Sequence, residues 1–228
     1  RMGVGNSPHL RSMATDIDIC NLALSQLGEE GEITGLNPPD GSEFAAQCSR
    51  YYPVALRKLF EEFDWGFAQA RFKLNELSNF DKTLYSFAHA YALPSDCVRV
   101  VRVSKANDPD KTIINPENTE FPKNFEVMYS RTTDNRILLT NVEDAIIQYT
   151  MYKNAPALFP TYFIEALVLA LAVYLVGPLK RSDPASQMAT NLRQAYEQAL
   201  NRAKTADAAN SIERNYRFVA SQLRARWV

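Results

Sequence analysis

The chain has 228 residues, 46% hydrophobic and 22% charged, with a formal net charge of −1. It is long enough to bury a real core in one large domain or two lobes, its composition is that of a soluble globular protein, and no global electrostatic drive toward nucleic acid or anionic membrane follows. Cys20, Cys48 and Cys97 are far apart, odd in number and without a CxxC, so they read as buried free thiols in a reducing compartment and not as a disulfide frame or metal site. In chain order, residues 1–12 (RMGVGNSPHLRS) have no apolar period and precede Met13; they read as a tag-like remnant, disordered and outside the fold.

Thr15 with Asp18 three residues on makes a capping pair, followed by Ile17, Cys20, Ala23, Leu24 and Leu27, with Gly28 as the stop: a short first helix. Glu29 to Gly41, rich in Gly, Pro and acids, is a connecting loop. From Ser42 to Phe67, apolar Phe44, Cys48, Tyr51, Ala55, Leu59 and Phe63 recur at steps of three or four, which predicts an amphipathic helix capped by Asp40 with Glu43. Pro53 removes an interior amide and should cost about 3 kcal/mol unless the helix kinks or restarts there. The aromatic group Phe60, Phe63, Trp65 and Phe67 closes this stretch.

After Phe72 the pattern turns to β. Tyr85 to Leu93 and Cys97 to Val103 are strand runs separated by Pro94, Ser95 and Asp96, the second with Val98, Val100 and Val103 inward and Arg99 and Arg102 outward. Pro109, Pro116 and Pro122 make Ser104 to Asn124 mostly loop, with a short extended piece near Ile113. Phe125 to Ser130 and Arg136 to Thr140 flank the polar link Arg131 to Asn135 as a hairpin, and Ala145 to Tyr152 is a further strand, giving five or so. Thr161 to Val176, apolar nearly all round yet containing Glu165, reads as a buried helix ended by Gly177 and Pro178; it is too short to span a bilayer comfortably. Ser182 caps a last helix with the stripe Ala185, Met188, Ala189, Leu192, Tyr196, Ala199, Ala203 and Ala206.

The order helices, strands, helices predicts an α+β protein: an antiparallel helical bundle formed by N- and C-terminal helices, with an inserted antiparallel β lobe. The expected divisions are 13–80 and 156–209 for the bundle, 81–155 for the β lobe and 210–228 for an extended C-terminal arm. That arm has four arginines against one acid, with aromatic and aliphatic residues between them. Three readings fit it: a docking arm that orders on a protein partner, a nucleic-acid contact, and a terminal helix folded back on its own bundle.

Catalytic signals are sparse. His89 is the one histidine after the leader and reads as a packed strand residue; no GxSxG, GxGxxG or GxxxxGK[ST] occurs. The acidic pairs Glu29–Glu30 and Glu61–Glu62 could be recruited for acid–base work, but adjacent helical residues diverge, so they read as solvated surface. The residues therefore give no catalytic, metal or cofactor-binding set.

Five phrases, ICNLALSQLGEEGEI (Ile19 to Ile33), YYPVALRKLFEEFDWGFAQAR (Tyr51 to Arg71), AYALPSDCVRV (Ala90 to Val100), RILLTN (Arg136 to Asn141) and FPTYFIEALVLALAVYLVGPL (Phe159 to Leu179), resemble the head–tail adaptor proteins of tailed phages, in particular the tail tubular protein A family of short-tailed viruses. The resemblance runs from about Ile17 to Asp207 and rests on motif order. It implies a non-enzymatic virion component at the head–tail junction, made in the host cytoplasm. Its ring, commonly of twelve copies, sits between the portal protein and the tail nozzle protein and passes DNA through its channel without reading sequence; no membrane is involved. In such a ring the bundle makes the subunit contacts, the β lobe points toward the nozzle, and near-neutral charge suits a DNA conduit. The C-terminal segment reaches the portal. On the composition of this arm, Ile212, Tyr216, Phe218, Leu223 and Trp227 are expected to anchor, with Arg214, Arg217, Arg224 and Arg226 pairing charge. The rival expectations are a tail-associated cell-wall hydrolase and a nucleic-acid-binding module.

Overall fold

A computed structural model describes residues 14–78, 86–105, 125–131, 133–180 and 184–211. The leader, Tyr85, the piece near Ile113, Ser182 and every expected anchor from Ile212 to Trp227 lie outside the described residues. Within them the chain is mixed α+β, with helices α1 (Asp16–Gln26), α2 (Glu43–Glu62), α3 (Thr161–Leu179) and α4 (Pro184–Ser211). The strands are β1 (Gln69–Lys73), β2 (His89–Ala92), β3 (Cys97–Lys105), β4 (Phe125–Ser130), β5 (Asn135–Thr140) and β6 (Ala145–Met151). Two compact units divide the chain: one holds the described residues through Leu59 and from Asn154 onward, the other spans Phe60 to Lys153.

In the helical unit, α1 starts on the expected capping box. Thr15 Oγ1 accepts from the Asp18 amide at 3.1 Å, and Asp18 Oδ2 accepts from the Thr15 amide at 2.8 Å. Ile19, Cys20, Ala23 and Leu24 are buried while Ile17 is only half-buried, and Gly28 ends the turn at φ +69°. The loop that follows is tied back by Asn21, which donates to the Ile33 carbonyl at 3.1 Å and accepts from the Ile33 amide at 2.9 Å.

The cap of α2 differs from the expectation. Ser42 Oγ accepts from the Ala45 amide at 3.1 Å, whereas Asp40 is engaged in the preceding loop by the Thr34 amide at 2.8 Å and the Ser42 amide at 2.9 Å. Ser42 stands next to the first helical residue, so its shorter reach serves the first-turn donors. The helix runs through Pro53 without interruption. Its buried face is centred on Ala45, Cys48, Tyr52, Ala55, Leu56 and Leu59, with Phe44 and Tyr51 at the margins and Phe63 half-buried just past its end.

Helix α3 packs on both α1 and α4. It is long and apolar enough by composition to cross a membrane, and half of that window is buried inside the protein. It extends through Gly177 and Pro178 instead of ending at them, with the Lys180 amide bonded to the Val176 carbonyl at 2.8 Å. Pro178 has no amide to offer the carbonyl four residues back, and the Lys180 amide closes the last turn on Val176. On α4, Leu192, Tyr196, Ala199, Leu200 and Ala203 form the buried stripe, and the helix keeps Asn210 and Ser211, the first two residues assigned to the arm.

The β unit contains two three-stranded antiparallel sheets, ordered β1-β6-β3 and β2-β5-β4. Strand β1 was not expected: it falls in the 13–80 segment read as helices of the bundle. Its sequence QARFK shows no buried alternation, and pairing with β6 brings it into the sheet. In β3 the inward residues are Cys97, Val100 and Val103, with Val98 only half-buried. Irregularities at Cys97/Arg99 and Val100/Arg102 explain this spacing of three, since each bulge shifts the inward parity by one residue. Tyr91, Leu138, Val100, Ile147 and Tyr149 share one core, and Ala90, Ile137 and Leu139 form a smaller one, so β5 is buried on both faces.

Candidate interaction site

The expected anchors begin one residue after α4, so the end of that helix is the root of the segment. Near the end of α4, Asp207 is a carboxylate only 2% exposed, and Tyr162 Oη at the start of α3 donates to its Oδ1 at 2.8 Å. Burial first, and then the Asp207 carboxylate, hold the Tyr162 phenol well above its ordinary range. Further along the same helices, the Lys58 ammonium lies 5.9 Å from the Tyr174 ring centre and 5.5 Å from that of Tyr196, while Tyr51 stacks on Tyr174 at 5.9 Å. Together these contacts tie α2, α3 and α4.

The residues weighed for chemistry are distributed and not gathered. His89 Nδ1 is 2.8 Å from Glu76 Oε1, and its ring lies 6.2 Å from that of Tyr91, a packed position on β2. Glu29 is not simply solvated: it pairs with Lys180 at 2.8 Å, while Glu30, Glu61 and Glu62 are exposed. Among the described residues no group of three or more His, Cys, Asp and Glu could hold a metal. All three cysteines are buried and free. The structure brings Cys20 and Cys48 into hydrogen-bonding contact, and that contact together with burial pushes the Cys20 thiol up. Burial raises Cys97 to about 11 against the partial counter-pull of Arg136.

One polar surface was not anticipated. On the sheet β1-β6-β3, residues directly opposite one another share a face. Three successive rows on one face are Gln69–Thr150–Arg99, Arg71–Gln148–Arg102 and Lys73–Ile146–Ser104. The outer rows hold acids: Arg99 pairs with Asp64 at 2.7 Å, and Lys73 with Asp144 at 3.4 Å. Thr150 Oγ1 also donates to Asp64 at 3.4 Å, and Gln148 donates to Gln69. In the middle row neither arginine has an ion pair or hydrogen bond among the described residues. Burial, and then the neighbouring Arg71, lower the Arg102 guanidinium. No linear motif encodes this row, because it exists only in the pairing register. The sequence matches no family model and no curated protein.

Proposed function

We propose that this chain is a structural head–tail adaptor of a tailed phage, forming a ring between portal and tail nozzle through which DNA passes. In this reading the four helices make an antiparallel bundle that provides the subunit contacts, the β unit is an inserted lobe facing the nozzle, and residues 210–228 are the portal-docking arm. The protein acts by shape and adhesion, without catalysis, cofactor or membrane.

The observation that carries the reading is the pinned root of the arm. A nearly fully buried carboxylate, Asp207, bonded to Tyr162, anchors the last turns of α4 to α3 immediately before the basic–aromatic segment. A firm base under a segment of arginines and aromatics suits multivalent docking, in which each arm adds little and a ring of arms holds strongly through effective concentration.

Removal of residues 210–228 is expected to leave the helical circular dichroism intact and to abolish binding to tail-less capsids. Truncated protein that still decorates those particles in electron micrographs overturns the docking role. Clearing of a peptidoglycan suspension by the purified full chain would instead establish the hydrolase.

A further inference from the structure

We infer that the Arg71–Gln148–Arg102 row is a binding site for the phosphate backbone of double-stranded nucleic acid. Charge is unevenly balanced along one sheet face. Each outer row brings a cation with its own acid, Arg99 with Asp64 and Lys73 with Asp144, whereas the middle row sets two guanidiniums around one amide with no acid among the described residues. Strands lie about 4.8 Å apart, so the two arginine backbones are roughly 10 Å apart across β6, close enough for both long side chains to converge on one anion. Two cations held near each other without compensation are an electrostatic cost that an anion relieves.

The chemistry of the row selects the anion. A tetrahedral phosphate presents non-bridging oxygens in different directions and can take one guanidinium from each side, whereas a planar carboxylate offers both oxygens along one edge and suits a single fork. Surroundings select the source. The residues paired in the three rows of this face include no aromatic ring, and Phe72 and Tyr149 fall at the alternate positions. A face without a stacking platform cannot hold the unpaired bases of a single strand, but it can meet the phosphates of a duplex. Arg71 is exposed and Arg102 and Gln148 are half-buried, so solvent reaches the row.

The test is fluorescence anisotropy of a labelled short DNA duplex with the full chain at low salt. Wild-type protein should bind, and Arg71→Gln with Arg102→Gln should weaken binding by about tenfold or more while reducing the log-affinity against log-salt slope by about two. Arg99→Gln, whose guanidinium is already held by Asp64, should leave both almost unchanged. Replacing both middle arginines by lysine should keep most of the salt slope, which separates lost charge from lost fold. Inorganic phosphate should displace the duplex better than chloride at matched ionic strength. The inference is overturned if wild-type protein ignores duplex DNA, if the double glutamine variant binds like wild type, or if single-stranded DNA or polyglutamate competes equally well. It does not rest on the adaptor reading: rings that assemble normally with no duplex affinity would sink this site and leave that reading standing.

Discussion

The helical and β units solve the same problem with different information. Order in the helical unit is written locally: a capping box at Thr15 and Asp18, a serine cap at Ser42, and apolar residues repeating along α3 and α4. Order in the β unit depends on side chains that reach far along the chain. Arg136 donates to the Cys97 and Val98 carbonyls at 3.0 and 3.4 Å, Asp64 collects Arg99 and Thr150, and Tyr91 donates to the Val142 carbonyl at 2.8 Å. The difference lies in what the long-range contacts serve: in the helical unit they join elements that are already regular, as Tyr162 does with Asp207, whereas in the β unit they also satisfy carbonyls within an irregular strand. Where β3 departs from regular pairing near Cys97 to Arg99, a guanidinium occupies the carbonyls beside the irregularity.

The sharpest way to break the β side of this contrast is to remove its largest side chain. Trp65 is fully buried, edge-on to Phe63 with centroids 5.3 Å apart. Trp65→Ala should destabilise the protein by about 3–5 kcal/mol, read from urea unfolding. A change under 1 kcal/mol would mean that the aromatic group does not organise this region. Next, Arg136→Met keeps most of the aliphatic stem but loses the bonds to the bulged carbonyls. A loss of about 1.5–3 kcal/mol is expected, and Arg136→Lys should not restore it because an ammonium lacks the planar fork.

On the helical side the effects are smaller, since each signal is one of many. Thr15→Ala removes one half of the α1 capping box and should cost about 1 kcal/mol, with faster amide exchange confined to the first turn of α1. Asp40 sharpens the comparison through pH. Hydrogen bonds from the Thr34 amide first, and then from Ser42, hold its carboxyl below the usual carboxylate range. Its folded-state value is therefore the lower one, so its stabilising contribution is complete above about pH 4 and fades as pH falls toward that value. Asp40→Asn should be less stable than wild type at neutral pH, and the two should converge in acid melts; a constant gap would contradict the assignment.

What could be read in the sequence follows the same division. The start and end of α1, the hairpin β4–β5 and strand β6 come from signals within a few residues of one another. On α2 the stripe had Cys48, Ala55 and Leu59 in place, but the large aromatics Phe44, Tyr51 and Phe63 drew it toward one side, away from the buried Ala45, Tyr52 and Leu56. The inward spacing of three in β3 was hidden because a bulge has no composition of its own here. Strand β1 was hidden because edge strands tolerate charge. Arg71 and Arg102 were legible as residues but not as a pair: 31 positions apart in the sequence, they meet only through Gln148.

The distribution of thiols has a practical result. Two of them, Cys20 and Cys48, lie in the helical unit and the third, Cys97, in the β unit, each shielded from solvent. An alkylating reagent can reach a given sulfur only when its own surroundings open. The mass gained at each cysteine over time therefore gives every preparation two separate clocks, one for the breathing of the helices and one for the fraying of the sheets, with no probe to introduce.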